Sequence, residues 1–244
     1  MKIEKYIVGS EKNEVYNAVS NSVPKDNEYL HFRLNGGVED LCNDTFYAAH
    51  KDGKVLSRLW MGYPKHKNAI CNWGCVYTDK ECRGQGLARK TLDYWYEDIQ
   101  KSDNLPLGLF CTTGAAWVAR MYAKYGFIPA LEGTDRGPLY MPLGDSPKTF
   151  KGFCEMYYTP TKTLHTVKAT FEWRNEIDCL LKFAMMDLGL SYTIDGEGDL
   201  ANILMKTPER EVSVILTEED KCVGWILDGK ICIYPLYADL INTL

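Results

Sequence analysis

The chain has 244 residues, 45% of them hydrophobic and 25% charged, with a formal net charge of −5. That length accommodates two average domains, and the balance is that of a globular chain, not a disordered one. The mild acidity argues against a nucleic-acid partner, which would call for a basic patch, and suits a cationic amine. Nine cysteines, at 42, 71, 75, 82, 111, 154, 179, 222 and 232, include no Cys-x-x-Cys pair. An odd, scattered set implies neither a disulfide frame nor a metal site. Cys71 and Cys75 are expected to pack on a strand. The start, MKIEKYIVGS, has no apolar signal region, and no apolar run is long enough for a membrane. The expectation is a cytoplasmic protein with reduced thiols and no membrane partner.

Residues 1–8 alternate as a first strand. Ser10, Glu11 and Glu14 read as a helix cap with an acidic first turn, and Val15, Ala18 and Val19 give that helix an apolar face before Pro24. Residues 27–44 read as irregular, with Gly36-Gly37 and the carboxylates of Glu28, Glu39, Asp40 and Asp44. Two β-type runs, 45–49 and 54–61, flank Lys51-Asp52-Gly53, a strong hairpin signal.

Residues 69–78 predict the next strand. After the polar Asp79-Lys80-Glu81-Cys82 comes Arg83-Gly84-Gln85-Gly86-Leu87-Ala88, followed by a helix in which Ala88, Leu92, Trp95 and Ile99 share a face. Strand, glycine-bearing turn and helix place a helix N-terminus beside backbone without Cβ atoms, a ready site for a phosphate or pyrophosphate. Neither a Walker loop nor a dinucleotide Gly-x-Gly-x-x-Gly is present. A tight turn ahead of a capped helix is the plainer alternative. Residues 107–112 predict a short buried strand. In AAWVARMYAKYGF, residues 115–127, Val118, Met121, Tyr122 and Tyr125 lie on one helical face and Gly126 ends the helix. Strands are predicted at 127–131 and 139–143.

Arg83-x-x-Gly86-x-Ala88 after a strand resembles the acetyl-CoA-binding motif of the GNAT acetyltransferase superfamily. The later stretch resembles that family's Asn-x-x-Ala-x-x-Leu-Tyr-x-x-x-Gly-Phe segment: Met121, Tyr122, Gly126 and Phe127 match, whereas Ala115 and Val118 depart. The resemblance covers about residues 1–145. It implies an α/β fold with a central mixed, mostly antiparallel sheet, and a domain ending near Gly144 at Asp145-Ser146-Pro147-Lys148.

The resemblance further implies acetyl-CoA as cosubstrate and an amine as acceptor. The backbone of Arg83, Gly84, Gln85, Gly86, Leu87 and Ala88 would take the pyrophosphate. The strand at Val76, Tyr77 and Thr78 would hydrogen-bond the pantetheine arm and polarise the thioester carbonyl. Tyr122 would be the general acid. Residues 27–44 would border the acceptor, although a solvated loop reads equally well. No carboxylate lies on the strand 69–78 to act as base; Asn72, Asp79 and Glu81 are the nearest polar groups. The histidines at 31, 50, 66 and 165 form no catalytic pattern. A non-catalytic acyl-CoA-binding module with a partner-binding carboxy-terminal domain is the alternative function.

Beyond residue 145 a small α+β domain is expected. Trp173, Ile177, Leu180, Leu181, Ala184, Met185 and Leu188 form an amphipathic stripe closed by Gly189, to be buried against the first domain or in a homodimer. Residues 212–217, 222–227 and 230–234 predict a three-stranded meander. Helix plus meander faintly echo the first half of the amino-terminal domain, but no second Arg-x-x-Gly-x-Gly/Ala occurs there.

Overall fold

The computed structural model describes residues 1–9 and 12–244, so the expected cap at Ser10 and Glu11 and the side chains of Glu14 and Val15 lie outside the described residues. The fold is α/β, and the chain forms two compact units, Met1–Lys65 with Asn72–Leu105, and His66–Cys71 with Pro106–Leu244.

The first unit holds β1 (Lys2–Ile7), α1 (Lys12–Ser20), α2 (Glu28–Leu34), β2 (Cys42–Lys51), β3 (Lys54–Pro64), β4 (Cys71–Thr78) and α3 (Leu87–Gln100). Its strands pair antiparallel in the order β1-β2-β3-β4. The β2–β3 hairpin turns on Asp52 (φ 51°) and Gly53 (φ 75°), two left-handed residues whose twist matches the flanking strands, as Asp-Gly predicts. Side chains alternate across β3. Trp60 packs with Val19 of α1 and Leu30 and Leu34 of α2. Its neighbour Met61 meets Trp95 of α3, whose indole Nε1 donates to the Met61 sulfur at 2.8 Å.

Residues 27–44 depart from the irregular stretch expected. Asn27 caps α2 by accepting from the Leu30 N–H at 3.0 Å, and Leu30, Arg33 and Leu34 are buried. Arg33 hid this face, because it is buried as an ion: its Nε donates to Asp44 Oδ1 at 2.8 Å and Oδ2 at 3.0 Å. Trp60 donates to the same carboxylate at 2.6 Å. Asp44 is thus spent inside the fold and is not an acceptor-binding carboxylate.

The second unit holds β5 (Gly108–Thr113), α4 (Ala116–Ala123), β6 (Ile128–Pro129), β7 (Gly137–Pro142), α5 (Phe150–Tyr157), β8 (Leu164–Lys168), a π-helical turn (Glu176–Leu181) running into α6 (Lys182–Asp187), α7 (Leu200–Lys206), β9 (Val212–Thr217), β10 (Cys222–Leu227) and β11 (Lys230–Ile233). Here β7 pairs antiparallel with both β5 and β6, and a four-stranded sheet runs β11-β10-β9-β8. The sequence reading missed α5, β8 and α7 and expected a regular helix over the apolar stripe. All six π residues are buried, Glu176 and Asp178 included, so no exposed face exists to make the pattern periodic. Leu188 is exposed, and Gly189 (φ 67°) closes α6 as foreseen.

Phe110 of β5 and Tyr140 of β7, both fully buried, share one core with Phe150, Phe153, Phe183 and Ile215. A chain ending at Gly144 would leave those two rings uncovered, at about 1.5–3 kcal/mol each. We expect that chain to be unfolded or insoluble. A soluble fragment with native-like circular dichroism would make residues 145–244 an independent appendage.

His66, ahead of β4, stacks on Trp173 at 4.4 Å with its Nε2 3.3 Å from Glu176 Oε1. Burial alone would lower its pKa, but the Glu176 hydrogen bond and charge prevail and hold it at about 9. A raised histidine pKa stabilises fully below the unfolded value near 6.5, and that contribution fades as pH climbs through about 9. His66→Gln should therefore cost up to about 3 kcal/mol at pH 6 and far less at pH 10, read by urea unfolding at both. Equal losses at both pH values would show that only the ring stacking matters.

Candidate active site

The glycine-bearing turn lies in the first unit. Asp79 caps a short 3₁₀ turn, Lys80–Cys82, by accepting from the Glu81 N–H at 3.0 Å. Gln85 Nε2 donates to the Glu81 carbonyl at 3.2 Å, and Arg83 Nε to the Thr78 carbonyl at 3.3 Å, tying the loop to the end of β4. Gly84 (φ 77°) and Gly86 (φ 73°) are left-handed, which glycine adopts without strain. A Cβ built on either meets nothing within 4 Å. Open space in front of these glycines leaves room for a ligand to approach the backbone.

Gly86 is the N-cap of α3 and supplies no side-chain acceptor. Lys90 N bonds Gly86 O at 3.1 Å, so the amides ahead of it precede the helix's own acceptors and carry its positive dipole end. Arg83, Gly84, Gln85 and Gly86 are exposed, as are Arg89 and Lys90, while Leu87 anchors the helix start in the core. The arrangement fits a pyrophosphate, a dianion met by backbone N–H groups and flanking cations.

Upstream, β4 carries a bulge. Arg58 pairs with Tyr77 and Trp60 with Gly74, so β4 spends one residue more than β3 between those pairs. Gly74 (φ 146°) and Cys75 (φ 50°) absorb the extra residue. The bulge corrects the expectation for the cysteines, since Cys71 is buried but Cys75 is exposed. Beyond it, the carbonyl of Tyr77 accepts from Ser57 Oγ at 2.9 Å, while Val76, Tyr77 and Thr78 are partly exposed.

Of the three polar groups nearest the strand, Asp79 is held in an ion pair. Lys54 Nζ lies 2.8 Å from Asp79 Oδ2, and its hydrogen bond holds the Asp79 carboxyl below the usual range. Asn72 sits in the ladder opposite Gly62. Glu81 is exposed on the 3₁₀ turn.

In the second unit Tyr122 sits in the last turn of α4, 7% exposed. Gly126 N bonds Ala123 O at 3.1 Å and Phe127 N bonds Tyr122 O at 3.4 Å, with Gly126 at φ 100°. These two bonds are the Schellman helix stop, and its usual apolar contact is present, Tyr122 against Phe127 at 5.9 Å. The spacing Tyr-x-x-x-Gly-Phe therefore has a folding reason that owes nothing to chemistry. At the other end Ala115 gives α4 no side-chain cap, where the asparagine of the resembled pattern would.

Residues 42–129 match the family model described as an acetyltransferase (GNAT) domain. That segment is similar to a GNAT acetyltransferase domain. It contains β2 to β4, the glycine turn, α3 and α4, so both motifs read from the sequence fall inside it. Among solved structures, the chain is similar to a GNAT-family acetyltransferase from Staphylococcus aureus Mu50, at 14% identity and TM-score 0.39, over 59% of this chain and 100% of that one. It is also similar to an acyl-CoA N-acyltransferase from Pseudomonas aeruginosa, at 16% identity and TM-score 0.41, over 57% and 99%. At such scores the family model, not these likenesses, carries the assignment. No curated protein matches the chain.

The matched segment also holds two polar residues that sequence reasoning passed over. Ser57 and Arg58 interrupt the apolar run of β3 between Leu56 and Leu59, yet both are buried. A polar pair inside an otherwise apolar strand was the available signal. Among the described residues no cluster of three or more His, Cys, Asp or Glu could hold a metal ion, and no helix is long and apolar enough to cross a membrane.

Proposed function

We propose that the chain is an acetyl-CoA-dependent N-acetyltransferase. The observation that carries the reading is the Arg83–Ala88 turn, with its two left-handed glycines ahead of an uncapped α3, inside a segment matching the acetyltransferase family model. Backbone amides from Arg83 to Ala88 hold the pyrophosphate of acetyl-CoA. Val76, Tyr77 and Thr78 receive the pantetheine arm along β4, where a backbone N–H polarises the thioester carbonyl. Acetyl-CoA supplies the acyl group: the acceptor nitrogen forms a bond to the carbonyl carbon as the carbon–sulfur bond breaks. Tyr122 gives the departing sulfur its proton, and the proton lost by the amine goes to water, since Asp79 is held by Lys54.

Residues 1–145 form the catalytic part of this proposal. The sheet after residue 145 repeats the order of the first unit: strand, two helical segments, then three strands, with neighbours in sequence order and all pairs antiparallel. We read it as a degenerate second half without a glycine turn, so one CoA should bind per chain.

A second reading, a CoA-binding module without catalysis, is favoured by the structural account of Tyr122 and by the occupied Asp79. Free-thiol release from acetyl-CoA, measured with a panel of small amines, aminoglycosides, peptide N-termini and lysine, separates the two. Amine-dependent release supports the transferase. Saturable CoA binding with no release from any amine would favour the module.

A further inference from the structure

Arg58 is 3% exposed, and among the described residues no carboxylate is one of its hydrogen-bond partners. A buried guanidinium without a counter-ion is costly, so its retention calls for a reason. Its three bonds point to one. Nε donates to Ser22 Oγ at 2.7 Å and Nη2 to the Ser22 carbonyl at 3.1 Å, which fix it from the segment between α1 and α2. Ser22 is itself held, its Oγ donating to Val19 O at 2.6 Å. Nη1 donates to the carbonyl of Cys75, the non-glycine left-handed residue of the β4 bulge. The guanidinium also lies 5.3 Å from the Tyr77 ring, on the far side of the bulge.

The bulge takes Cys75 out of register with β3, and Arg58 reaches its carbonyl from that side. A left-handed non-glycine residue is strained and persists only where its surroundings over-determine it. Arg58, braced on Ser22 and bonded to the Cys75 carbonyl, is part of that restraint. Were the bulge to slide out, the strand beyond it would slip by one residue and turn each amide to the opposite edge. The residues beyond it are Val76, Tyr77 and Thr78, assigned above to the pantetheine arm and the thioester.

We propose that Arg58 is a positioning residue for acetyl transfer: braced on Ser22, it locks the β4 bulge so that the amides after Cys75 face the thioester carbonyl. The inference rests on the reading of this domain as an acetyl-CoA enzyme. Through Ser22 it also couples the α1–α2 segment to the strand that activates the acyl group. Arg58 lies outside the pyrophosphate turn, so its loss should weaken activation more than binding.

The test uses acetyl-CoA carrying ¹³C at the thioester carbonyl. Bound to the wild-type chain, its infrared carbonyl band should move to lower frequency. In Arg58→Met that displacement should vanish and acetyl transfer at saturating acetyl-CoA should fall by about 10²–10³, the usual effect of losing one oxyanion donor, while CoA still binds through the pyrophosphate turn with a smaller loss of affinity. Ser22→Ala, which removes only the Nε acceptor, should give an intermediate band position, and it carries the test if Arg58→Met does not fold. A wild-type band position in Ser22→Ala and in any folded Arg58→Met overturns the proposal. Failure of the wild-type chain to bind CoA overturns the reading beneath it, and the proposal with it.

Discussion

Gly86→Asp is expected to abolish acetyl-CoA binding while leaving the fold intact. A Cβ at this position meets no described atom within 4 Å, so the new side chain starts into open space. The left-handed backbone costs an L-residue about 1–2 kcal/mol, and aspartate tolerates that region better than most. The carboxylate would stand where the pyrophosphate belongs. Two like charges about 4 Å apart near a protein surface repel by about 4 kcal/mol, roughly a thousandfold in Kd. Gly86→Ala shares the backbone cost without the charge and should retain measurable binding. Calorimetric titration of CoA, with thermal melts of all three proteins, reads both quantities. Unchanged affinity in Gly86→Asp would reduce the loop to a turn.

Tyr122→Phe is expected to lower kcat by about 10²–10⁴, the range for a general acid, with acetyl-CoA affinity and Tm nearly unchanged. The Schellman stop makes this substitution a clean one. Tyr122 supports the helix end through its backbone carbonyl and through ring contact with Phe127, and phenylalanine keeps both. Only the hydroxyl is removed. Turnover close to wild type would leave Tyr122 a capping residue and make an ordered water the proton donor.

The sequence made the glycine turn and hairpin legible because left-handed backbone restricts which residues fit. Asp52-Gly53, Gly84, Gly86 and Gly126 all stand at positive φ, so their identities report geometry directly. The apolar strands and α3 were legible from periodicity, as Trp95, Leu92 and Ile99 are buried on one face. Where polar groups are buried, the pattern failed. Arg33 and Asp44 neutralise each other inside the first unit and so made α2 look like a loop. Glu176 and Asp178 lie in a turn buried all round, so no period could show the π-helix. The bulge in β4 was invisible for a related reason: Arg58 and Ser22 are 36 residues apart, and only the fold brings them together. The match of residues 42–129 to the acetyltransferase model agrees with the resemblance the two motifs carried.

The central claim is that the Arg83–Ala88 backbone receives the pyrophosphate of acetyl-CoA. Amide hydrogen exchange of the full chain, with and without saturating CoA, tests it at those residues. Slowed exchange should concentrate on the amides of residues 83–90 and extend to 76–78 along β4. Exchange unchanged across 83–90, whatever CoA does elsewhere on the chain, would contradict it.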